Sequence, residues 1–213
     1  MNLRQRFVEN ESQLAIHTSV PFRVRVGVTG HRELPDPQAL SSKIKEAIER
    51  IIPELFDNES KNLLRSSTHT PIAHTVVTPL AEGADRLLAR EVLKHPLADI
   101  EVVLPLHKED YLEDFDSSES RQEFEELFAK ARRPITLQDQ PLNKELSQSA
   151  LAEARREAYK AVGRYVVDHC DVLIALWDGE PARGKGGTAE IVGYAKSKSS
   201  GDSGVPGSGV VPV

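Results

Sequence analysis

The chain has 213 residues, a formal net charge of −6, 39% apolar residues and 28% charged residues. This length suits one large domain, and this balance is that of a globular protein rather than a disordered or fibrous one. The negative charge argues against a general nucleic-acid binder, which carries a basic excess. A small anionic ligand stays open, because backbone amides and helix N-termini bind phosphate without net positive charge.

Cysteine usage and hydropathy predict a cytoplasmic protein. Cys170 is the single cysteine, so no disulfide can form within the chain, as expected in a reducing compartment. No run approaches the ~20 apolar residues that a membrane-spanning helix needs, and the N-terminus lacks a signal-peptide core. The seven histidines lack metal-ligand spacing, so no metal site is expected. No cofactor is expected either.

Strand and helix patterns alternate along the chain. In chain order they are strand 23–29, helix 36–55, strand 72–80, helix 81–95, strand 99–106, helix 121–133, helix 144–168, strand 171–179 and a last helix from about Thr188. The acidic residues between 109 and 126 are interpreted as a solvated loop and helix face. Continuous apolar strands that alternate with helices predict an α/β fold: a Rossmann-like, mostly parallel sheet with helices on both faces.

Composition shifts at both ends of the chain suggest three segments. Residues 1–20 are polar and are predicted to be an N-terminal extension, whereas residues 21–198 form the folded domain. Residues 199–213 are rich in Gly, Ser and Pro and are predicted to be a flexible tail or linker. Such a linker can join the domain to an effector, fused or separate.

In a parallel α/β sheet, ligands bind outside the carboxyl ends of the strands, so the strand exits are the candidate sites. The first exit contributes Thr29, Gly30, His31 and Arg32. The glycine permits close backbone approach, and the two side chains after it, His31 and Arg32, can donate to a phosphate or stack on a base. The alternative is a turn glycine followed by a solvated pair.

The second exit leads into a helix with acidic residues in its first turn. Its candidate residues are Thr78, Glu82, Gly83, Ala84, Asp85 and Arg86. Acidic side chains at a helix start complement the helix dipole, which is a purely structural explanation. The alternative is that Glu82 or Asp85 binds a ribose hydroxyl or acts in acid–base chemistry.

The last exit carries a glycine-rich loop before the final helix. Its candidate residues are Asp178, Gly184, Lys185, Gly186, Gly187, Thr188 and Glu190. Glycines let several backbone N–H groups point at one place, and the helix adds its positive end, so the loop predicts a phosphate site. It is not the GxxxxGK[ST] nucleotide loop, because the lysine precedes the glycine pair. Trp177, just before the loop, can stack on a base or pack in the core.

Three stretches together resemble the SLOG superfamily, named for the DNA-processing protein Smf/DprA and the cytokinin-activating enzyme lonely guy. They are VGVTGHRELPD at 26–36, TPLAEGADRLLA at 78–89 and DVLIALWDGEPARGKGGTAEIVGYA at 171–195. The resemblance implies a Rossmann-like nucleotide-binding domain that self-associates. Some members are sensors of nucleotide signals such as ADP-ribose derivatives, often joined to effector or membrane modules in bacterial defence and signalling. Lonely-guy enzymes instead hydrolyse the N-glycosidic bond of nucleoside 5′-monophosphates with a PGGxGTxxE loop and an arginine.

The chain departs from that enzyme loop. It has GKGGTAE, without the proline, and Glu190 follows Thr188 by two residues instead of three. One residue on a helix is about 100° of rotation, so the departure favours a nucleotide sensor over a hydrolase. Whether the chain is an enzyme stays open: in a hydrolase, Glu190 or Asp85 is the expected catalytic carboxylate, and Arg32 or Arg86 stabilises the developing charge. A third interpretation is a scaffold domain with a vestigial pocket.

Overall fold

The computed structural model describes residues 20–55, 71–180, 187–201 and 209–212. Within these residues, six strands form one sheet: β1 (Phe22–Gly30), β2 (Ile72–Thr78), β3 (Asp99–Leu104), β4 (Ile135–Thr136), β5 (Val172–Leu176) and β6 (Gly209–Pro212). Their order across the sheet is β4-β3-β2-β1-β5-β6, and each neighbouring pair is parallel. The predicted parallel sheet is confirmed.

In the part of the chain that the structure describes, six helices connect the strands: α1 (Pro37–Glu46), α2 (Ala84–Val92), α3 (Lys108–Leu112), α4 (Ser118–Phe128), α5 (Gln148–Asp168) and α6 (Thr188–Gly201). A π-helical turn, Ala47–Ile51, continues α1. Asp36 begins α1 by accepting a hydrogen bond from the Ala39 amide, with Pro37 as the first helical residue, a favourable N-terminus. Among the described residues, no helix combines the length and the apolar character required to cross a bilayer.

Helices cover both faces of the sheet. On one face, buried valines of β1 pack with Ile44 of α1 and Leu88 of α2. On the other face, Leu173 of β5 packs with Val162 of α5 and Ala195 of α6. Strands buried on both faces read as continuous apolar runs, and the VLIAL run of β5 is buried throughout. The predicted α/β class is therefore confirmed.

The order of the strands places one crevice at the centre of the sheet. β2, β3 and β4 follow one another on one side of β1, and the chain then returns to place β5 on the other side of β1. Gly30 at the end of β1 pairs with Leu176 at the end of β5. The connections that leave these two strands diverge, and such a switch point is where open α/β sheets bind ligands.

Two elements lie where the sequence predicted none. Within the stretch interpreted as a solvated acidic loop, α3 forms, and Tyr111 and Phe115 are fully buried. Acidic neighbours obscured these aromatic residues, whose rings contact each other with centroids 5.0 Å apart. The two-residue strand β4 pairs with β3 and is too short to produce a periodic pattern.

The predicted flexible tail, residues 199–213, needs correction in the parts that the structure describes. Helix α6 continues to Gly201, and Gly209–Pro212 pairs with β5, with Gly209 opposite Val172. The adjacent β-branched residues Val210 and Val211 favour this strand, although glycine and serine dominate the surrounding composition. Residues 1–19 of the predicted extension and residues 202–208 and 213 of the tail lie outside the described residues.

Candidate functional site

A pocket of about 500 Å³ opens between the exits of β1 and β5. We call it the switch-point pocket; it is lined by His31, Arg32, Glu33, Leu34, Pro35, Leu40, Leu176, Trp177 and Asp178. The lining combines an apolar and aromatic wall with charged side chains. The pocket therefore lies where the strand order predicts ligand binding, and it includes three of the predicted site residues.

Gly30 allows the elements around this pocket to meet. A Cβ atom at this position would lie 2.4 Å from the Ala84 Cβ and 2.8 Å from the Leu176 carbonyl oxygen. The amide of the next residue, His31, donates to that same carbonyl at 3.3 Å. The end of β1 is thus held against the end of β5 and the start of α2, an approach that only glycine permits.

His31 and Asp178 face each other across the pocket mouth. The His31 Nε2 lies 3.3 Å from the Asp178 Oδ1, and about two-fifths of each side chain is exposed, 39% and 42%. The same Asp178 oxygen accepts a hydrogen bond from the Glu180 amide at 3.0 Å. The structure brings together two predicted site residues from different exits, as a polar pair that a ligand can reach.

The second exit is clamped to the first. Gly83 has a φ of +74°, and a Cβ atom there would lie 2.1 Å from the Arg32 carbonyl oxygen. The Ala84 amide donates to the His31 carbonyl at 3.1 Å. A φ of +74° is not helical, so α2 begins after Gly83, at Ala84, whereas the sequence predicted a start at residue 81.

Asp85 is buried at the base of this loop. Its Oδ2 accepts hydrogen bonds from the Thr78 hydroxyl at 2.9 Å and from the Ala81 amide at 3.3 Å. Burial raises the pKa of Asp85 to about 7, although those two hydrogen bonds and nearby arginines oppose the shift. The Thr78 hydroxyl also accepts from the Leu80 amide at 2.9 Å, so both residues shape the loop.

Arg86, predicted as a site residue that would stabilise developing charge in a hydrolase, lies at a buried position. Its side chain is 1% exposed, and its Nε donates to the Leu80 carbonyl at 3.1 Å. Its Nη1 donates to the Ser120 carbonyl at 2.9 Å and to Glu123 at 3.0 Å. The guanidinium thus joins the β2 exit to α4, where a phosphate at the surface does not reach it, and Arg86 is a structural residue.

Arg32 spans the gap between the two exits through long contacts. Its Nη1 lies 3.9 Å from Glu82 and donates to the Asp114 carbonyl at 3.4 Å. Its guanidinium carbon lies 5.7 Å from the centre of the Tyr159 ring. Glu82 also accepts a hydrogen bond from the Ser120 hydroxyl. Arg32 remains an accessible cation, and Glu82 is shared between this cation and α4.

The last exit is described only in part. Gly184, Lys185 and Gly186 lie outside the described residues, whereas Gly187 accepts from the Glu190 amide at 3.0 Å in the first turn of α6. The Glu190 carboxylate lies 2.9 Å from the Lys160 Nζ of α5. No pattern in the sequence indicates this partner, because the pair joins two helices that are far apart in the chain.

Three aromatic residues near the site were missed or left open by the sequence. Trp177, left between packing and stacking, lines the switch-point pocket and donates from its ring nitrogen to the Glu180 carbonyl at 2.9 Å. Tyr159 lies against Arg32 and donates to Asp114. Tyr111 is buried after β3, and the four-residue spacing from Tyr111 to Phe115 was the one available signal.

No protein-family model and no curated protein matches the chain. Among solved structures, it is similar to the X-ray structure of DNA processing protein A (DprA) from Streptococcus pneumoniae, with a TM-score of 0.47 and 14% sequence identity over 89% of this chain. The chain spans half the length of that protein, 50%. At this level the similarity concerns the course of the chain and assigns no ligand.

Proposed function

We propose that this domain is a cytoplasmic sensor that binds a nucleotide or a nucleotide-derived ligand across the carboxyl ends of its strands. The observation that carries the proposal is the switch-point pocket. Its volume of about 500 Å³ falls within the range of small-molecule sites, which combine an apolar lining with a few polar groups. Ligand binding would change self-association or the state of an attached effector.

The walls of the pocket suit a nucleobase at one end. Leu34, Leu40 and Trp177 supply apolar and aromatic surface for a planar ring. His31 and Asp178 offer a polar pair at the mouth, where hydrogen bonds can orient the base. This combination supports a nucleotide over a purely apolar ligand.

The start of α6 suits the phosphates. This helix begins at Thr188 and continues for 14 residues, and it leaves the same edge of the sheet as β5. The first turn of a helix presents backbone amides, and its dipole is positive there, so anions bind favourably. In the sequence, Gly184, Gly186 and Gly187 precede this helix. Glycines let a ligand approach the backbone closely, and Lys185 adds a positive charge.

The carboxylates that hydrolysis would need are engaged elsewhere. Glu190 pairs with Lys160 at 2.9 Å, and Asp85 is buried beneath the loop that it holds. A general base must lie within hydrogen-bond reach of its water. This supports binding without turnover.

A nucleoside 5′-monophosphate N-glycosidase is the second candidate, favoured by one observation. The pKa of Asp85 is raised to about 7 by burial, and a carboxyl group that titrates near neutrality is suited to general acid–base catalysis. In that case Asp85 would protonate the departing base.

To test these functions, the protein is incubated with AMP, ATP, NAD and ADP-ribose. The shift in its melting temperature is measured, and each nucleotide is analysed by mass spectrometry. The sensor predicts stabilisation by a nucleotide that stays intact, and Gly187→Val weakens it. Gly193→Val is the matched control, because a Cβ atom at Gly193 has no neighbour within 4 Å. Free base and ribose phosphate from AMP would establish the glycosidase instead. If no nucleotide shifts the melting temperature, both proposals fail.

A further inference from the structure

A second cavity lies at the amino ends of the strands, away from the switch-point pocket. Its volume is about 120 Å³, and we call it the amino-end cavity. Among the described residues, the ionisable side chains that line it are Arg23, Arg25, Arg132, Arg133, Asp99 and Glu101. Along β1, Arg23 and Arg25 precede Gly30 by seven and five residues, roughly 17–23 Å of strand. The cavity is therefore separate from the pocket at the strand exits.

The register of the sheet brings these charged side chains to one face. Arg25 of β1 lies opposite Thr75 of β2, and Thr75 lies opposite Asp99 of β3. Residues two apart along a strand share a face, so Arg23 and Glu101 lie on this face as well. Farther along the strands the same face is apolar and packs against α5. The starts of β1 and β3 thus carry a charged stripe on an otherwise apolar face.

Two carboxylates hold two of the arginines in place. The Arg23 Nη1 donates to the Asp99 Oδ2 at 2.8 Å, and the Thr75 hydroxyl donates to the other Asp99 oxygen at 2.6 Å. The Arg25 Nη2 donates to the Glu101 Oε1 at 2.8 Å. Each carboxylate therefore compensates one guanidinium and fixes its position.

The other two arginines add positive charge that these carboxylates do not compensate. The Arg132 amide donates to the Ile100 carbonyl at 2.9 Å, which holds this corner of the chain against β3. The Arg132 side chain is 72% exposed, and its Nη1 lies 3.4 Å from Asp99, which Arg23 already pairs. Arg133 is exposed and makes no hydrogen bond or ion pair with the described residues. Four guanidinium groups and two carboxylates on the cavity wall leave an excess of two positive charges.

Arg25 also has a donor without an acceptor. Its Nε is buried and has no hydrogen-bond partner within the described part of the chain, whereas buried polar groups are normally paired. Asp171 accepts from the backbone amide of Arg25 at 2.7 Å and does not line the cavity. Guanidinium groups bind carboxylate and phosphate oxygens through pairs of N–H donors. Because Arg25 lines the cavity, an oxyanion bound there can supply the missing acceptor.

We propose that the amino-end cavity binds a small oxyanion of the phosphate type through Arg25, Arg132 and Arg133. Sites for larger ligands have volumes of about 300–1,000 Å³, so a cavity of about 120 Å³ suits one phosphate group rather than a whole nucleotide. A phosphate monoester carries about 1.5–2 negative charges at pH 7, which matches the excess of two guanidinium groups. This site goes beyond the proposed nucleotide function, because it takes another ligand at the other end of the sheet.

The test titrates the protein with inorganic phosphate by calorimetry, with sodium chloride at equal ionic strength as the blank. Wild type binds phosphate with saturation, and Arg133→Gln weakens this binding about tenfold, because a hydrogen bond between charged groups is lost. The melting temperature of the variant stays at the wild-type value, since Arg133 has no partner in the described residues. A parallel titration with glycerol 1-phosphate compares the two sources of a phosphate group, a free ion and an ester, and the tighter of the two identifies the source.

Two further variants serve as controls. Arg50→Gln removes an arginine that is 57% exposed and lies in the π-helical turn, which packs on the opposite face of the sheet. Gly187→Val disrupts the proposed nucleotide site at the start of α6. Both variants bind phosphate as tightly as wild type does.

Three outcomes would overturn the oxyanion site. In the first, phosphate produces no saturable heat beyond that of sodium chloride. In the second, Arg133→Gln binds phosphate as tightly as wild type, or Arg50→Gln loses as much affinity, so that only net charge matters. In the third, Gly187→Val abolishes phosphate binding, which would place the ion at the start of α6. Each of these results is separate from the nucleotide test, so the oxyanion site and the proposed function stand or fall independently.

Discussion

At the exits of β1 and β5, which we call the open end, His31 and Asp178 are 39% and 42% exposed. At the exits of β2 and β3, the closed end, Asp85 and Arg86 are 6% and 1% exposed. Both ends have small residues next to ionisable ones, and in the sequence they suggest the same phosphate or ribose chemistry. In the structure, about two-fifths of the His31 and Asp178 side chains at the open end is exposed to solvent, whereas the closed end uses most of its polar groups to hold a loop. Charged residues at a strand exit therefore do not by themselves identify a binding group.

The largest expected effect on stability is that of replacing Arg86, and it tests whether this residue has a structural role. Arg86→Ala removes a buried guanidinium that Leu80, Ser120 and Glu123 share. Loss of one partner from a buried charged network costs about 3–5 kcal/mol, and we expect that loss in the free energy of unfolding, measured with urea.

Arg90 is the matched control for Arg86. It pairs with the same Glu123, but its side chain is 50% exposed, so Arg90→Ala should cost about 0–1 kcal/mol. If Arg86→Ala cost no more than Arg90→Ala and instead abolished nucleotide binding, the closed end would resemble the open end, and Arg86 would return to the ligand site.

The next effect concerns the clamp between the two ends. Gly83→Ala would place a Cβ atom 2.1 Å from the Arg32 carbonyl oxygen at a φ of +74°. We expect a loss of about 3 kcal/mol in the free energy of unfolding, at the upper end of the usual range for single substitutions. Thermal or urea unfolding measures it.

Gly179→Ala separates the two causes of that loss. Gly179 also has a positive φ, +86°, but a Cβ atom there has no neighbour within 4 Å. Gly179→Ala should therefore lower the free energy of unfolding only by the cost of the unfavourable backbone conformation, about 1–2 kcal/mol. Equal losses at both glycines would mean that the ends are not clamped at Gly83.

The sequence patterns that predicted the fold lie within single strands and helices. The contacts that form the site join residues that are far apart in the chain. Val24, Val26 and Val28 of β1 recur with strand periodicity in the sequence and are all buried, and the apolar run of β5 follows from burial on both faces, so the α/β class was accessible from the sequence. The adjacency of β1 and β5, and hence the His31–Asp178 pair, depends on a strand order that no short stretch encodes. The different burial of Arg86 and Arg90, four residues apart on α2, depends on where α4 packs. Tyr111 was hidden because its neighbours in sequence are acidic.

A smaller effect is the dependence of protein stability on pH that Asp85, at the closed end, causes. Its pKa is raised by burial from 3.8 to about 7, so between these pH values the native state holds a proton that the unfolded state has released. Stability therefore falls as pH rises through this window and becomes constant above it. Asp85→Asn removes the titration, so its stability relative to wild type should rise from pH 4 to pH 7.

His74 makes a contribution of opposite sign, which the comparison with Asp85→Asn removes. Burial lowers the pKa of His74 below 6.5, and His95 adds to this shift. Protonation at acid pH therefore favours the unfolded state. His74 is present in both proteins, so the difference between their unfolding free energies at each pH isolates Asp85. A difference that stays constant from pH 4 to pH 8 would show that Asp85 is ionised in the native state.

The smallest effect on stability, and the sharpest test of the open end, is His31→Gln. The His31–Asp178 pair is exposed, so the free energy of unfolding should change by less than about 1 kcal/mol. Nucleotide affinity should fall about tenfold, because a polar contact at the pocket mouth is lost. His169→Gln is the control: this histidine lies at the opposite edge of the sheet, stacked on Tyr165, and its loss should leave affinity unchanged. If His31→Gln instead lowered stability as much as Gly83→Ala and left affinity intact, the open end would also be a structural junction, and the difference between the two ends would not hold.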